Sequence, residues 1–180
     1  MQRDRTQASW TIVLTAGLCV PLSSCAASPR ASHGDAPALR ASAVAAVERL
    51  FAGMRTRNEA LMRSVLAETF ALAVVDEEGE PQVRQGDVDE FVRSFLTSPR
   101  HRDERVAGEP LVRVDGGVAV VWTPYVFFVD GQLSHCGFDG FHLVRSPADE
   151  AWRIVAIAYT RRRGDACEPF VDAARRRDSR

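Results

Sequence analysis

"VAVVWTPYVFFVDGQLSHCGFDGFHLV", residues 118–144, decides how this chain folds. Two apolar runs flank Asp130-Gly131, and Asp-Gly between strand-like segments is a strong hairpin signal. A two-residue turn there pairs Val129 with Gln132. Counting back from it sets Tyr125 opposite Cys136, Thr123 opposite Phe138 and Trp122 opposite Asp139. Successive strand residues point to opposite faces, so His135, Asp139, Phe141 and Leu143 share one face while Cys136 and His142 share the other. On this register Val118, Val120, Trp122 and Val126 join the first face, which is the more apolar and is expected to line the interior. Pro124 has no amide to give to a ladder, so a bend or bulge is expected beside it.

The same period extends on both sides. "LVRVDGGVAVVW" (111–122) holds a second Asp-Gly turn, and "RSPADEA" (145–151) leads into the strand-like "WRIVAIAYTRR" (152–162). Together these make an antiparallel meander of four strands. Upstream the period changes. In "SAVAAVERLFAGM" (42–54), Val44, Val47, Leu50, Phe51 and Met54 recur at helical steps. Asn58 is placed to cap a short second helix carrying Leu61, Met62 and Val65. "FALAVV" (70–75) reads as a brief strand, and the acidic "DEEGE" (76–80) as a solvated turn. "GDVDEFVRSFL" (86–96) predicts a third helix, with Asp87 and Glu90 at capping-box spacing. "PRHRDER" (99–105) mixes both charges and reads as a solvated loop. Helices early and strands late predict an α+β fold, with three N-terminal helices packed on a curved, mainly antiparallel sheet.

With 180 residues there is room for one ordinary domain. A hydrophobic fraction of 46% and a formal charge of −1 lack the basic excess of a nucleic-acid binder, and no nucleic-acid partner is expected. All 23 cationic side chains are arginine. At the N-terminus, Arg3 and Arg5 precede "TIVLTAGLCVPL" (11–22), an apolar run that matches a signal-peptide core and falls short of the ~20 residues a spanning helix needs. Leu22-Ser23-Ser24-Cys25 follows and resembles the lipobox of bacterial lipoproteins, whose cysteine accepts the lipid. Ala26 after it resembles lipoproteins sorted to an outer membrane. The expected organisation is a signal peptide at 1–24, a flexible tether at 25–40 rich in Ala, Ser and Pro, a domain at 41–167, and an Arg-rich tail at 168–180. The expected location is the cell envelope, extracytoplasmic and lipid-anchored through Cys25. Cys19 would leave with the signal peptide, so Cys136 and Cys167 remain. In an oxidising compartment they are expected to pair; two buried free thiols are the alternative.

The order of elements, "GMRTRN" (53–58), "SHCGFDGFHLVR" (134–145) and "WRIVAIAYTRRRGDAC" (152–167) resemble the nuclear transport factor 2-like superfamily, in particular its SnoaL-like and lumazine-binding-type branch. The resemblance implies a cone-shaped fold whose bent sheet wraps a pocket, often in a dimer. In such proteins the pocket serves as an isomerase, dehydratase, cyclase or hydrolase site, or as a plain binding cavity, so the fold alone does not deliver the function.

Among single residues Asp139 stands out: a carboxylate between apolar neighbours has its pKa raised and can act as a base or anchor a polar group. The competing reading is a structural carboxylate bonded to backbone amides at a kink that Gly137 and Gly140 permit. His135 and Asp139 lie ~13 Å apart along one strand and make no dyad by themselves. Trp122, Tyr125, Phe141 and Tyr159 are candidate wall aromatics, with His135 beside them. Which way Tyr159 and Arg161 face depends on the loop before them and stays open. Because His135 points away from Cys136 and His142, and no HExxH or paired CxxC is present, no metal or cofactor is expected. The leading expectation is an extracytoplasmic protein binding a small, largely apolar molecule. One alternative is an isomerase, dehydratase or hydrolase with Asp139 as general acid or base. Another is an envelope interaction module that forms a homodimer.

Overall fold

The computed structural model describes residues 36–76 and 79–179. The signal peptide, Cys25 and the tether as far as residue 35 lie outside them. Helix α1 (Ala36–Thr56) begins inside the segment expected to be tether, so residues 36–40 are helix. Its stripe of Val47, Leu50, Phe51 and Met54 is buried as the spacing predicts. Helix α2 (Glu59–Arg63) is capped by Asn58, whose side chain accepts from the Leu61 amide at 3.1 Å.

Among the described residues, these two helices precede the sheet, where three were expected. Strands β1 (Leu66–Asp76) and β2 (Gln82–Asp87) form a hairpin before the third helix, α3 (Val88–Leu96). β2 escaped the sequence reading because five of its six residues are exposed, leaving no alternation to detect. Asp87 caps α3, accepting from the Glu90 amide at 3.0 Å. Strands β3 (Arg102–Val106), β4 (Leu111–Asp115), β5 (Val118–Val129), β6 (Gln132–Arg145) and β7 (Trp152–Arg161) complete a seven-stranded sheet. Its order is β2-β1-β7-β6-β5-β3, with β4 also on β5. The four-strand meander of β4 to β7 is present as expected. The β1–β7 pairing is parallel, so the sheet is mixed.

"PRHRDER" is corrected from loop to strand. Its second half is β3, which pairs with the Tyr125–Val129 end of β5, while β4 takes the Val118–Trp122 end. The charge run hides a strand because Asp103 and Glu104 face structured surroundings that composition cannot show.

The β5–β6 hairpin departs from the expected register. Val129 pairs with Gln132 and Phe128 with Leu133, but Phe127 pairs with His135. Ser134 is the extra residue of a bulge, and every later partner moves by one. Asp139 therefore sits opposite Thr123, and Trp122 opposite Gly140. The inner face is built from Ala119, Val121, Thr123 and Tyr125 with Phe141, Leu143 and Asp139, all buried. Trp122 is on the outer face, 42% exposed, its ring lying over Gly140 and stacked on Phe138 at 5.4 Å.

Two cores result. The larger lies between the inner face, α1 and α3. The smaller lies outside, where Val126 and Cys136 pack against the C-terminal segment. That segment is a 3-10 turn (Gly164–Cys167) at the end of the expected domain, followed by helix α4 (Glu168–Asp178) where an Arg-rich tail was expected. Ala174 is buried, and Arg177 donates to the Gly108 carbonyl at 3.1 Å and pairs with Glu48. Cys136 and Cys167 are joined in a disulfide, as expected for an oxidising compartment.

Candidate functional site

A cavity of about 400 Å³ opens between the inner face and helices α1 and α3. This is within the range of small-molecule sites. Its walls are apolar: Phe51 and Met54 from α1, Phe91 and Phe95 from α3, Phe141 and Ile157 from the sheet. Phe51 meets Phe141 edge-on at 5.9 Å, an arrangement aromatic quadrupoles favour.

Into this apolar space β6 projects Asp139, 2% exposed. Alternation along the strand sends it inward together with Phe141 and His135, as expected, although its cross-strand partner is Thr123 rather than the indole. Glu104 reaches the same place from β3. The two carboxyls stand close enough to hydrogen-bond to each other when one of them is protonated. Both pKa values are raised. Burial is the main cause for each, and for Asp139 the facing Glu104 charge adds to it. Glu104 is pushed up to about 8. Two carboxylates this close in a low-dielectric space share a proton and titrate as a pair. Asp139 Oδ2 is buried without a hydrogen-bond partner. A carboxylate tied up by backbone amides would not leave that oxygen orphaned.

Tyr159 stands directly opposite Asp139 on β7, and Tyr159 and Arg161 both line the cavity, which settles their facing. Arg161 donates to the Tyr159 hydroxyl at 3.3 Å and lies 3.4 Å from Asp76. Burial raises the Tyr159 pKa, so the phenol stays protonated. His135 also lines the cavity, stacked on Phe127 at 4.6 Å, with Nδ1 3.1 Å from the Ser134 hydroxyl. Burial, helped by the charges of Arg161 and Arg163, lowers its pKa to about 4, so it is neutral at physiological pH.

Of the other expected residues, Phe141 is a wall. Tyr125 is buried beneath the site, its hydroxyl donating to the Thr160 carbonyl at 2.9 Å and its ring meeting His135 and Tyr159 edge-on. It supports the floor without facing the cavity. Trp122 is removed from the site by the register shift. Cys136 and His142 point outward, as the alternation predicts. Glu104 was missed, and the only signal for it was the alternation of Arg102, Glu104 and Val106 within a charge run.

Gly137 lets these parts meet. A Cβ there would lie 2.1 Å from the Thr160 carbonyl, so only glycine allows β7 to approach β6 where Tyr159 and Asp139 come together.

The sequence matches no family model and no curated protein. Solved structures do match the fold. A nuclear transport factor 2-like superfamily protein from Salmonella enterica superposes with a TM-score of 0.55 at 15% identity, covering 72% of this chain and 94% of that one. The fold is NTF2-like. A proposed dehydratase of the NTF2-like family from Streptomyces avermitilis gives 0.53 at 12% identity, over 71% of this chain and 99% of that one. A protein of unknown function from Mycobacterium tuberculosis gives 0.55 at 16% identity, over 78% and 89%. At these identities the likeness concerns the NTF2-like fold alone, a fold that hosts both ligand-binding and enzymatic proteins.

Proposed function

We propose that the NTF2-like cavity binds a small, largely apolar molecule and presents one of its polar groups to the Asp139–Glu104 pair. The observation behind this reading is an aromatic cavity into which Asp139, 2% exposed, brings a carboxyl oxygen without a partner. An orphaned buried oxygen costs on the order of 1–3 kcal/mol, a cost that a ligand's hydrogen-bond donor removes. A thermal-shift screen of apolar alcohols, amines, ketones and lipids tests the proposal. A ligand that stabilises the wild type, with the effect reduced in Asp139→Ala, is expected; no stabilisation by any compound would overturn it.

A second reading is acid–base catalysis of an isomerase, dehydratase or hydrolase kind. It is favoured by the raised carboxyl pair: with Glu104 near 8, the site holds an acid proton at neutral pH that it is able to give to a substrate. Turnover of a stabilising ligand that is lost in both Asp139→Asn and Glu104→Gln, with binding retained, would support it. Binding without turnover leaves the first reading.

We also propose that the domain is extracytoplasmic and tethered through a lipid on Cys25. The lipobox-like residues 22–25 support this, as does the Cys136–Cys167 disulfide, which an oxidising compartment would preserve. Labelling of the expressed protein with a radioactive or alkyne fatty acid, absent in Cys25→Ser, is the expected result. The exposed Leu111, Val118, Trp122 and Val144 of the outer sheet face support homodimerisation, which sedimentation equilibrium would measure.

A further inference from the structure

Among the described residues, four buried side-chain atoms lack a hydrogen-bond partner: Asp139 Oδ2, Arg102 Nε, Arg161 Nε and Asp76 Oδ1. The first three belong to residues lining the cavity, and Asp76 is the ion-pair partner of Arg161. Two half-buried arginines thus line this cavity, each with its Nε enclosed and unpartnered. Arg102 lies over the Phe95 ring at 3.9 Å and donates to the Ser94 carbonyl. Its pKa is lowered, first by burial and then by the charge of Arg57. Arg161 is near Asp76, without hydrogen-bond alignment at Nε.

Strand register places both arginines on the same side of the carboxyl pair. On β3, Arg102 lies two residues from Glu104, opposite Val129 at the β5–β6 turn end. On β7, Arg161 lies two residues from Tyr159, which faces Asp139, and the adjoining Arg162 bridges to Cys136 near that same end. Residues two apart share a face and stand ~7 Å from each other. The cavity therefore has a polarity: an acid pair deep in the sheet, apolar walls, and half-buried arginines displaced toward the β5–β6 turn. Arg163, 63% exposed in its side chain, extends that cationic side outward.

Resting on the small-molecule reading above, we infer that the ligand is an amphipathic anion. Its carboxylate or sulfonate-like group is held by Arg102 and Arg161, and its apolar body lies against the phenylalanine walls. An anionic oxygen accepts from the guanidinium groups that line the cavity, and charge-assisted bonds of this type are about twice as strong as neutral ones. A neutral molecule of the same shape forgoes those bonds.

Two probes that share one skeleton separate these cases: 1-anilinonaphthalene-8-sulfonate, and N-phenyl-1-naphthylamine, which lacks the sulfonate. Fluorescence titration of the purified chain at pH 7 is expected to show the sulfonate binding at least about tenfold more tightly, equivalent to about 1.4 kcal/mol. Arg102→Gln and Arg161→Gln should each reduce that ratio while leaving the neutral probe's affinity in place, and the neutral probe reports that each variant is folded. Equal affinities, or a ratio unchanged in both variants, would overturn the anion inference and leave the apolar cavity standing. Failure of both probes to bind would overturn the cavity reading and this inference with it.

Discussion

The two faces of β6 make an instructive contrast. Outward, Cys136 is locked to Cys167, Phe138 is stacked on Trp122 and meets Phe170 edge-on, and α4 closes over them. Inward, one residue away in each case, the same strand carries His135 with a depressed pKa and Asp139 with a raised one beside open space. The outer face spends its residues on cohesion. The inner face holds polar groups at a cost to stability, and such uncompensated groups are where ligand chemistry is expected.

Removing the disulfide breaks the outer half of this contrast most severely. Closing a loop of 31 residues contributes about 3–4 kcal/mol by loop entropy, so Cys136→Ala combined with Cys167→Ala should lose roughly that much in urea denaturation. Native-state binding of an apolar probe should persist. If binding disappears while the protein is still folded, the two faces are not separable.

On the inner face the expected effect has the opposite sign. A carboxyl whose folded pKa is raised holds a proton that the unfolded chain releases. Its contribution is complete below the unfolded value near 4.5 and is lost as pH rises through about 8. His135 runs the other way, losing stability as pH falls from 6.5 toward 4. Between pH 6.5 and 8 only the carboxyl pair acts of these two, so the melting temperature of the wild type should fall with rising pH. Asp139→Asn, whose amide donates to Glu104 without a shared proton, should flatten that slope and melt higher at pH 8. A slope unchanged by the substitution would remove the pair from consideration.

Smaller effects sharpen the boundary. Asp87→Ala removes the α3 cap and should cost about 1 kcal/mol, with the cavity's aromatic wall retained. Trp122→Ala, at a residue expected from sequence to line the pocket, should leave probe affinity unchanged; a large loss would restore the indole to the site.

How much of this was legible depended on what each signal encodes. Helical stripes and caps are local, so α1, α2 and α3 were readable from Leu50, Phe51, Asn58 and Asp87. The inward direction of Asp139 was readable because alternation along β6 needs no partner. Its partner was not. The bulge at Ser134 carries no glycine or proline to announce it, and one extra residue exchanged Trp122 for Thr123 and moved Tyr125 to the inner side. Glu104 stayed hidden for a different reason. A five-residue strand of four charged residues and a valine has no apolar pattern, and only its pairing with β5 gives it a face.

That pairing has a mechanical consequence. Asp139 is rooted in a central strand flanked on both sides, whereas Glu104 hangs on a short strand at the sheet margin, attached along one side only. The two halves of the acid pair thus rest on unlike supports: one is held by ladders on both flanks, the other by a single ladder and by the packing of β3 on α1.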